Sequence, residues 1–160
     1  MSKRIAVVGT GALGGYVGGY LANAGLDVTL IDFWPENIET IRSRGLALDG
    51  VTPEEKFTVK NAKTMHLTEM QDLSRQKPID IAFVAMKSYD TEWATALIKQ
   101  YLSPDGYIVT NNHVISGGEG PGAAAVASIK VIMPDVPFLC HYRRSTTIID
   151  TMPYADRKSV

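Results

Sequence analysis

The sequence predicts an α/β domain built on a doubly wound parallel sheet, a three-layer α/β/α arrangement with a small inserted hairpin. Three observations lead there. A short apolar run, Arg4–Val8, ends in the glycine-rich string Gly9-Thr10-Gly11-Ala12-Leu13-Gly14. Strand-like and helix-like segments then alternate as far as Thr110, the pattern that produces βαβ units and a parallel sheet. An acidic residue, Asp32, follows the second strand-like run, where a strand of such a sheet reaches its ligand-binding edge.

Each element carries its own signal. Arg4–Val8 (RIAVV) is apolar on consecutive residues rather than alternate ones, as expected of a strand covered on both faces. Ala12–Ala24 predicts a helix with Leu13, Val17, Leu21 and Ala24 on one face and Gly25 as its stop. Asp27–Ile31 is a second strand. Trp34-Pro35 opens a second helix, because proline's fixed φ and missing N–H suit a first turn, and Gly45 closes it. Leu46–Leu48 and Lys56–Val59, joined through Gly50 and Pro53, predict the hairpin. Thr68–Leu73 predicts a short helix and Ile79–Ala85 (IDIAFVA) a buried strand. Thr91–Leu102 predicts a helix ended by Pro104-Asp105-Gly106, with Tyr107–Thr110 as the next strand.

Composition narrows the function. A chain of 160 residues has room for one ordinary domain with its own core. With 45% hydrophobic and 21% charged residues it reads as globular rather than disordered. A formal net charge of -1 argues against a polyanionic partner such as nucleic acid. The single cysteine, Cys140, excludes an intramolecular disulfide and fits a reducing cytoplasm. Ile5–Leu26 is uncharged and follows Lys3-Arg4, yet its seven glycines would interrupt a continuous span, so no membrane association is expected. Cys140-His141 lacks a second pair of ligands, so no metal site is expected, and His141-Tyr142-Arg143-Arg144 reads as a surface segment.

The glycine string acquires meaning from its context, between a strand and a helix. Gly9 allows a tight turn, Gly11 lets the backbone approach a pyrophosphate, and Gly14 allows helix and strand to pack closely. N–H groups at the helix start and the helix dipole favour phosphate charge there. The string therefore predicts a Rossmann-type domain that binds NAD(H) or NADP(H). Asp32 can accept hydrogen bonds from the adenosine ribose hydroxyls and would repel a 2′-phosphate, which favours NADH over NADPH. The alternative for Asp32 is complementation of the charge at the start of the second helix. Phe33 stands where an arginine would have argued for NADPH.

Three stretches together resemble the N-terminal half of the ketopantoate reductases (2-dehydropantoate 2-reductases). They are Ile5-Ala6-Val7-Val8-Gly9-Thr10-Gly11-Ala12-Leu13-Gly14-Gly15, Asp32-Phe33-Trp34-Pro35-Glu36 and Ala85-Met86-Lys87-Ser88-Tyr89-Asp90-Thr91. The resemblance runs from Lys3 to Thr110. It implies an NAD(P)H-dependent oxidoreductase that reduces a small-molecule 2-keto acid, 2-dehydropantoate, to a 2-hydroxy acid in the branch leading to pantothenate and coenzyme A. A cytoplasmic location and a homodimer are compatible with it. Carried over by position, Gly9, Gly11, Ala12, Leu13 and Gly14, with Thr10 in the same loop, hold the pyrophosphate and Asp32 the ribose. Lys87 falls near cofactor and substrate, and the carboxyl end of a strand is where open α/β sheets bind ligands. The family's Asn-Gly pair after the next strand is not found. The segment here is Asn111-Asn112-His113-Val114, in which Asn112 is the nearest candidate for contact with nicotinamide and substrate and His113 an equally defensible alignment.

Beyond this point the sequence departs from the family. Gly117, Gly118, Gly120, Pro121 and Gly122 interrupt the pattern. Family members are considerably longer, with a helical C-terminal domain that supplies a lysine general acid and a carboxylate, neither of which can be placed here. The expected organisation is a dinucleotide-binding domain over 1–112 and a divergent tail over 113–160, with the helical domain missing. Within the tail, Lys130–Met133 and Thr146–Asp150 are expected as short strands at the sheet edge. Two function classes stay open. One is an oxidoreductase, of which this chain alone is expected to be inactive; the other is a non-catalytic nucleotide-binding module or redox-cofactor sensor.

Overall fold

The computed structural model describes residues 2–50, 52–111 and 146–149. In chain order its elements begin with β1 (Arg4–Val8), α1 (Ala12–Asn23), β2 (Asp27–Asp32) and α2 (Pro35–Arg44). A hairpin follows, β3 (Leu46–Asp49) and β4 (Lys56–Val59), and then β5 (Lys63–His66). The remaining elements are β6 (Ile79–Val84), α3 (Ser88–Ile98), β7 (Leu102–Asn111) and β8 (Thr146–Ile149).

The main sheet has the order β5-β2-β1-β6-β7-β8. Its first five strands are parallel, and β8 pairs antiparallel with β7 from Ile108↔Ile149 to Asn111↔Thr146. The chain starts at the centre, runs outward through β2 to β5, and returns across β1 to build β6 and β7. The reversal falls between β1 and β6, the position where a doubly wound sheet opens a crevice at its carboxyl edge. Val8 lies opposite Ile31 on one side and Val84 on the other, so three strands end level with one another at that crevice.

Both faces of the sheet are covered. Ala6, Val8, Ile31, Ala82 and Val84 pack with Ala94 and Ile98 of α3. Ile5, Val7, Leu30, Ile81 and Phe83 pack with Leu21 of α1. Alternate residues of β1 thus enter different cores, which is why its sequence is apolar at every position from Ile5 to Val8 rather than at every second residue. Arg4 is also buried: its amide donates to Asp80 at 2.8 Å and its guanidinium reaches the Lys77 carbonyl and Gln76. The hairpin lies against α1, where a Cβ on Gly19 would come within 2.5 Å of Leu48. Among the described residues no helix is long and apolar enough to cross a membrane.

Several boundaries differ from the sequence expectation. The helix expected over Thr91–Leu102 begins at Ser88 and ends at Ile98, followed by a 3-10 turn over Lys99–Tyr101. Its start is set by backbone geometry at Lys87, whose carbonyl accepts from the Asp90 amide at 2.9 Å and the Thr91 hydroxyl at 3.0 Å. Strand β7 begins at Leu102 rather than Tyr107 and absorbs Pro104-Asp105-Gly106 as an irregularity, its register with β6 shifting between Ile79 and Ile81. The helix expected over Thr68–Leu73 is a 3-10 segment, Leu67–Arg75, capped reciprocally by His66 and Glu69. Strand β5 (KTMH) has no strand-like pattern in sequence, because it is an edge strand with only Met65 buried. Of the expected tail strands, Thr146–Ile149 is β8, while Lys130–Met133 lies outside the described residues.

Candidate functional site

The carboxyl ends of β1, β2 and β6 are stitched together by two backbone bonds: the Gly9 amide to the Ile31 carbonyl and the Ala85 amide to the Val8 carbonyl, both 2.8 Å. The glycine loop turns out of β1 at this junction. Gly9 has φ +90°, and a Cβ there would stand 2.6 Å from the Met86 sulfur and 2.9 Å from the Ala85 carbonyl oxygen. A Cβ on Gly14 would collide with the Gly9 carbonyl oxygen and stand 3.0 Å from the Ala85 Cβ. The protein's own packing therefore requires glycine at both positions.

Gly11 is different. It is the N-cap of α1 with φ -66°, a value any residue adopts, and a Cβ there would meet nothing within 4 Å. Nothing among the described residues calls for glycine at this point. Gly11 and Ala12 are exposed and Leu13 is half-buried. The first turn of α1 carries no acidic side chain and Gly11 makes no side-chain cap bond. The Asp32 carboxylate bonds the Thr10 amide just before it, which leaves the first N–H groups of the helix itself without a side-chain acceptor among the described residues. A cleft of about 780 Å³ opens beside the loop, lined by Thr10, Gly11, Leu13, Asn37, Leu46 and Leu48 among others. The arrangement can receive an anion at the helix start with backbone, rather than side chains, in contact.

Asp32 closes β2 and is buried. Its Oδ2 accepts from the Thr10 amide at 2.8 Å, from the Thr10 hydroxyl, and from the Asn37 amide group at 3.2 Å; its Oδ1 accepts from the Trp34 amide at 3.0 Å. Burial alone pushes the carboxyl pKa up, but these hydrogen bonds outweigh it and hold the value below the ordinary one. Asp80, at the opposite edge, is also held low, by the Arg4 amide first and then, against burial, by Lys77 and Lys3. Depressed folded-state values contribute stability that is fully present above the unfolded carboxylate pKa of about 3.9 and is lost as pH falls through them. Thermal unfolding followed by circular dichroism should therefore give a Tm that is steady from about pH 7 to 5 and drops below about pH 4. A Tm that held or rose on acidification below that point would contradict these assignments.

Lys87 emerges two residues beyond Ala85, exposed at the start of α3 and beside the crevice. Its ammonium takes part in none of the ion pairs formed among the described residues. Strand β7 runs parallel to β6 and brings Asn111 to the same edge. Asn112, the next residue, lies outside the described residues, as does His113.

Two features of the site were not singled out from sequence. One is Asn37, the third residue of α2, which bonds the loop and Asp32 together. The other is an aromatic rim formed by Phe33, Trp34 and Trp93, three of the five exposed large hydrophobic residues described. Phe33 sits 5.6 Å from Trp34 and 6.4 Å, edge-on, from Trp93 of α3. The signal available in the sequence was the pair of aromatics directly after Asp32. Their meeting with Trp93 depends on the fold.

A parallel sheet that reverses direction beside a glycine turn and a bare helix start defines a Rossmann-type domain of the dinucleotide-binding class. Comparison with known proteins gives the particular family. The family model for ketopantoate reductase PanE/ApbA matches residues 5–115. The 2-dehydropantoate 2-reductase of Pyrococcus horikoshii is 38% identical over 89 residues, covering 56% of this chain and 26% of that protein. The 2-dehydropantoate 2-reductase of Lactococcus lactis is 28% identical over 138 residues, covering 76% of this chain and 44% of that protein. A crystal structure of a PanE/ApbA family ketopantoate reductase from Ralstonia eutropha superposes with a TM-score of 0.57 and 29% identity, covering 71% of this chain and 36% of that one. The chain belongs to the ketopantoate reductase family, and it spans between about a quarter and under half the length of these relatives.

Proposed function

We propose that this chain is the NAD(P)H-binding portion of a ketopantoate reductase-type oxidoreductase, whose reaction reduces 2-dehydropantoate to its 2-hydroxy acid on the route to pantothenate. The observation that carries the proposal is Gly11. Its backbone conformation and its surroundings both permit a side chain, so the glycine serves something that approaches from outside. A cofactor pyrophosphate laid across the loop fits that need.

In this reading the N–H groups of Gly11, Ala12 and Leu13 receive the pyrophosphate at the α1 N-terminus, in a loop whose shape Gly9, Thr10 and Gly14 set, since the Gly9 and Thr10 amides are already given to Ile31 and Asp32. Asp32 accepts from the adenosine ribose through Oδ1, which among the described residues has a single donor where Oδ2 has three. Bound nicotinamide supplies the reducing equivalent. Lys87 offers a cationic hydrogen-bond donor at the carboxyl end of β6, suited to the carboxylate or keto oxygen of a 2-keto acid. Asn112, directly after β7, is proposed to contact nicotinamide and substrate. A cytoplasmic homodimer acting on a small molecule is consistent with the family.

Both tryptophans of the chain stand on the aromatic rim beside this site, so their emission reports on it. Titration with NADH and with NADPH should quench that emission. The Asp32 charge leads to NADH binding at least about tenfold more tightly than NADPH, since a 2′-phosphate would face a buried anion. Tighter binding of NADPH would remove Asp32 as the ribose acceptor. Binding of neither would remove the cofactor site itself.

A further inference from the structure

Thr10 is an unusual member of a glycine loop: it is β-branched, buried, and lies between two glycines that each have a separate reason to be glycine. Its amide and its hydroxyl both donate to Asp32 Oδ2. Asn37 Nδ2 in turn donates to the Thr10 hydroxyl oxygen at 2.8 Å and to Asp32 Oδ2 at 3.2 Å. The three side chains come from the loop after β1, the end of β2 and the first turn of α2.

The direction of every bond in this triangle is forced. An ionised carboxylate only accepts and an amide nitrogen only donates, so the Thr10 hydroxyl must spend its single proton on Asp32 and receive from Asn37. Turning the Asn37 amide over would set its oxygen against the carboxylate. A network with one consistent arrangement holds its members more rigidly than separate bonds do. What it holds is the backbone immediately before Gly11.

We propose that Thr10 and Asn37 are positioning residues, a polar clamp anchored on Asp32 Oδ2 that keeps the glycine loop in its ligand-receiving shape. The inference rests on the cofactor reading above and adds to it a division of labour within one carboxylate. Oδ2 orders the loop, and Oδ1 is left to the ligand. A loop ordered in advance does not have to be ordered at binding, and affinity rises by the cost avoided. Because the clamp acts on the pyrophosphate loop, which NADH and NADPH share, it has no means of telling the two apart.

The test is fluorescence titration of the full chain and its variants with NADH and NADPH, with Tm measured on each. Asn37→Ala is expected to weaken both cofactors by the same factor, about tenfold, leaving their ratio unchanged. Thr10→Val, which keeps the amide bond but loses the hydroxyl, should do the same, whereas Thr10→Ser should bind like the parent chain. A residue that merely stabilises the fold would lower Tm and leave affinity alone. NADH affinity undiminished in Asn37→Ala or Thr10→Val overturns the clamp, as does a change in the NADH-to-NADPH ratio, which would make these residues direct ribose contacts. A parent chain that binds neither cofactor overturns the cofactor reading together with the clamp, whereas a binding parent with insensitive variants overturns the clamp alone.

Discussion

Gly14→Ala is expected to destabilise the chain by about 3 kcal/mol or more, although the substitution improves helix propensity. Two effects compete at this position. Alanine in place of glycine inside a helix gains up to about 1 kcal/mol. Against this, the new Cβ would collide with the Gly9 carbonyl oxygen, a backbone atom that cannot swing aside as a side-chain tip would. The Ala85 Cβ at 3.0 Å blocks a small retreat on the other side, and Gly9 is itself tied to Ile31 through its amide. Relief requires α1 to move off β1, which opens the core between them, so the clash wins. In a chain of this size the loss lowers Tm by roughly 10 °C. Calorimetric unfolding of the variant decides the matter, and a Tm within a couple of degrees of the parent would mean that α1 is less closely seated than described.

Gly11→Val has the opposite signature. Among the described residues no atom stands within 4 Å of the new Cβ, and φ is already -66°, so stability should fall by no more than about 1 kcal/mol, the cost of a poorer N-cap. Binding of NADH should fall by at least about thirtyfold, because a branched side chain occupies the space through which a pyrophosphate reaches the α1 amides. Fluorescence titration and thermal unfolding of the same preparation separate the two quantities. Unimpaired binding in a folded Gly11→Val variant would show that the loop's open side is not the ligand side, and the central argument for the cofactor site would be lost. The glycines at 14 and 11 thus offer a paired experiment, one substitution costing fold and the other function.

Much of this was legible in the chain itself. The run Arg4–Val8, the glycine string and Asp32 mark a strand, a helix start and a second strand end, because periodicity and backbone freedom are local properties. Pro35 and Gly45 bracketed α2 for the same reason, and α2 spans Pro35–Arg44. The hairpin followed from two short runs about a turn, and its pairing is Leu46↔Val59 to Asp49↔Lys56. Failures came where local signal was overridden. Pro104-Asp105-Gly106 reads as a break, yet β7 carries it as a register shift because Leu102 already pairs with Ile79. Strand β5 reads as nothing in particular, since an edge strand with one buried residue has little pattern to show.

The sequence by itself determined the order of strands and helices apart from β5, the position of the tight turn, and the presence of a carboxylate at the end of β2. Tertiary structure decided what those groups do. That Gly14 faces the Gly9 carbonyl while Gly11 faces open space is a matter of how α1 settles on β1. That one oxygen of Asp32 is taken by Thr10 and Asn37 depends on side chains 22 and 5 residues away in the chain meeting at one point, and Asn37 reaches Thr10 across 27 residues. The rim of Phe33, Trp34 and Trp93 likewise joins the end of β2 to α3 across the crevice. Local pattern reports how each segment covers its own surface, whereas the partners of a buried polar group are chosen only when segments distant in sequence pack and water is removed from between them.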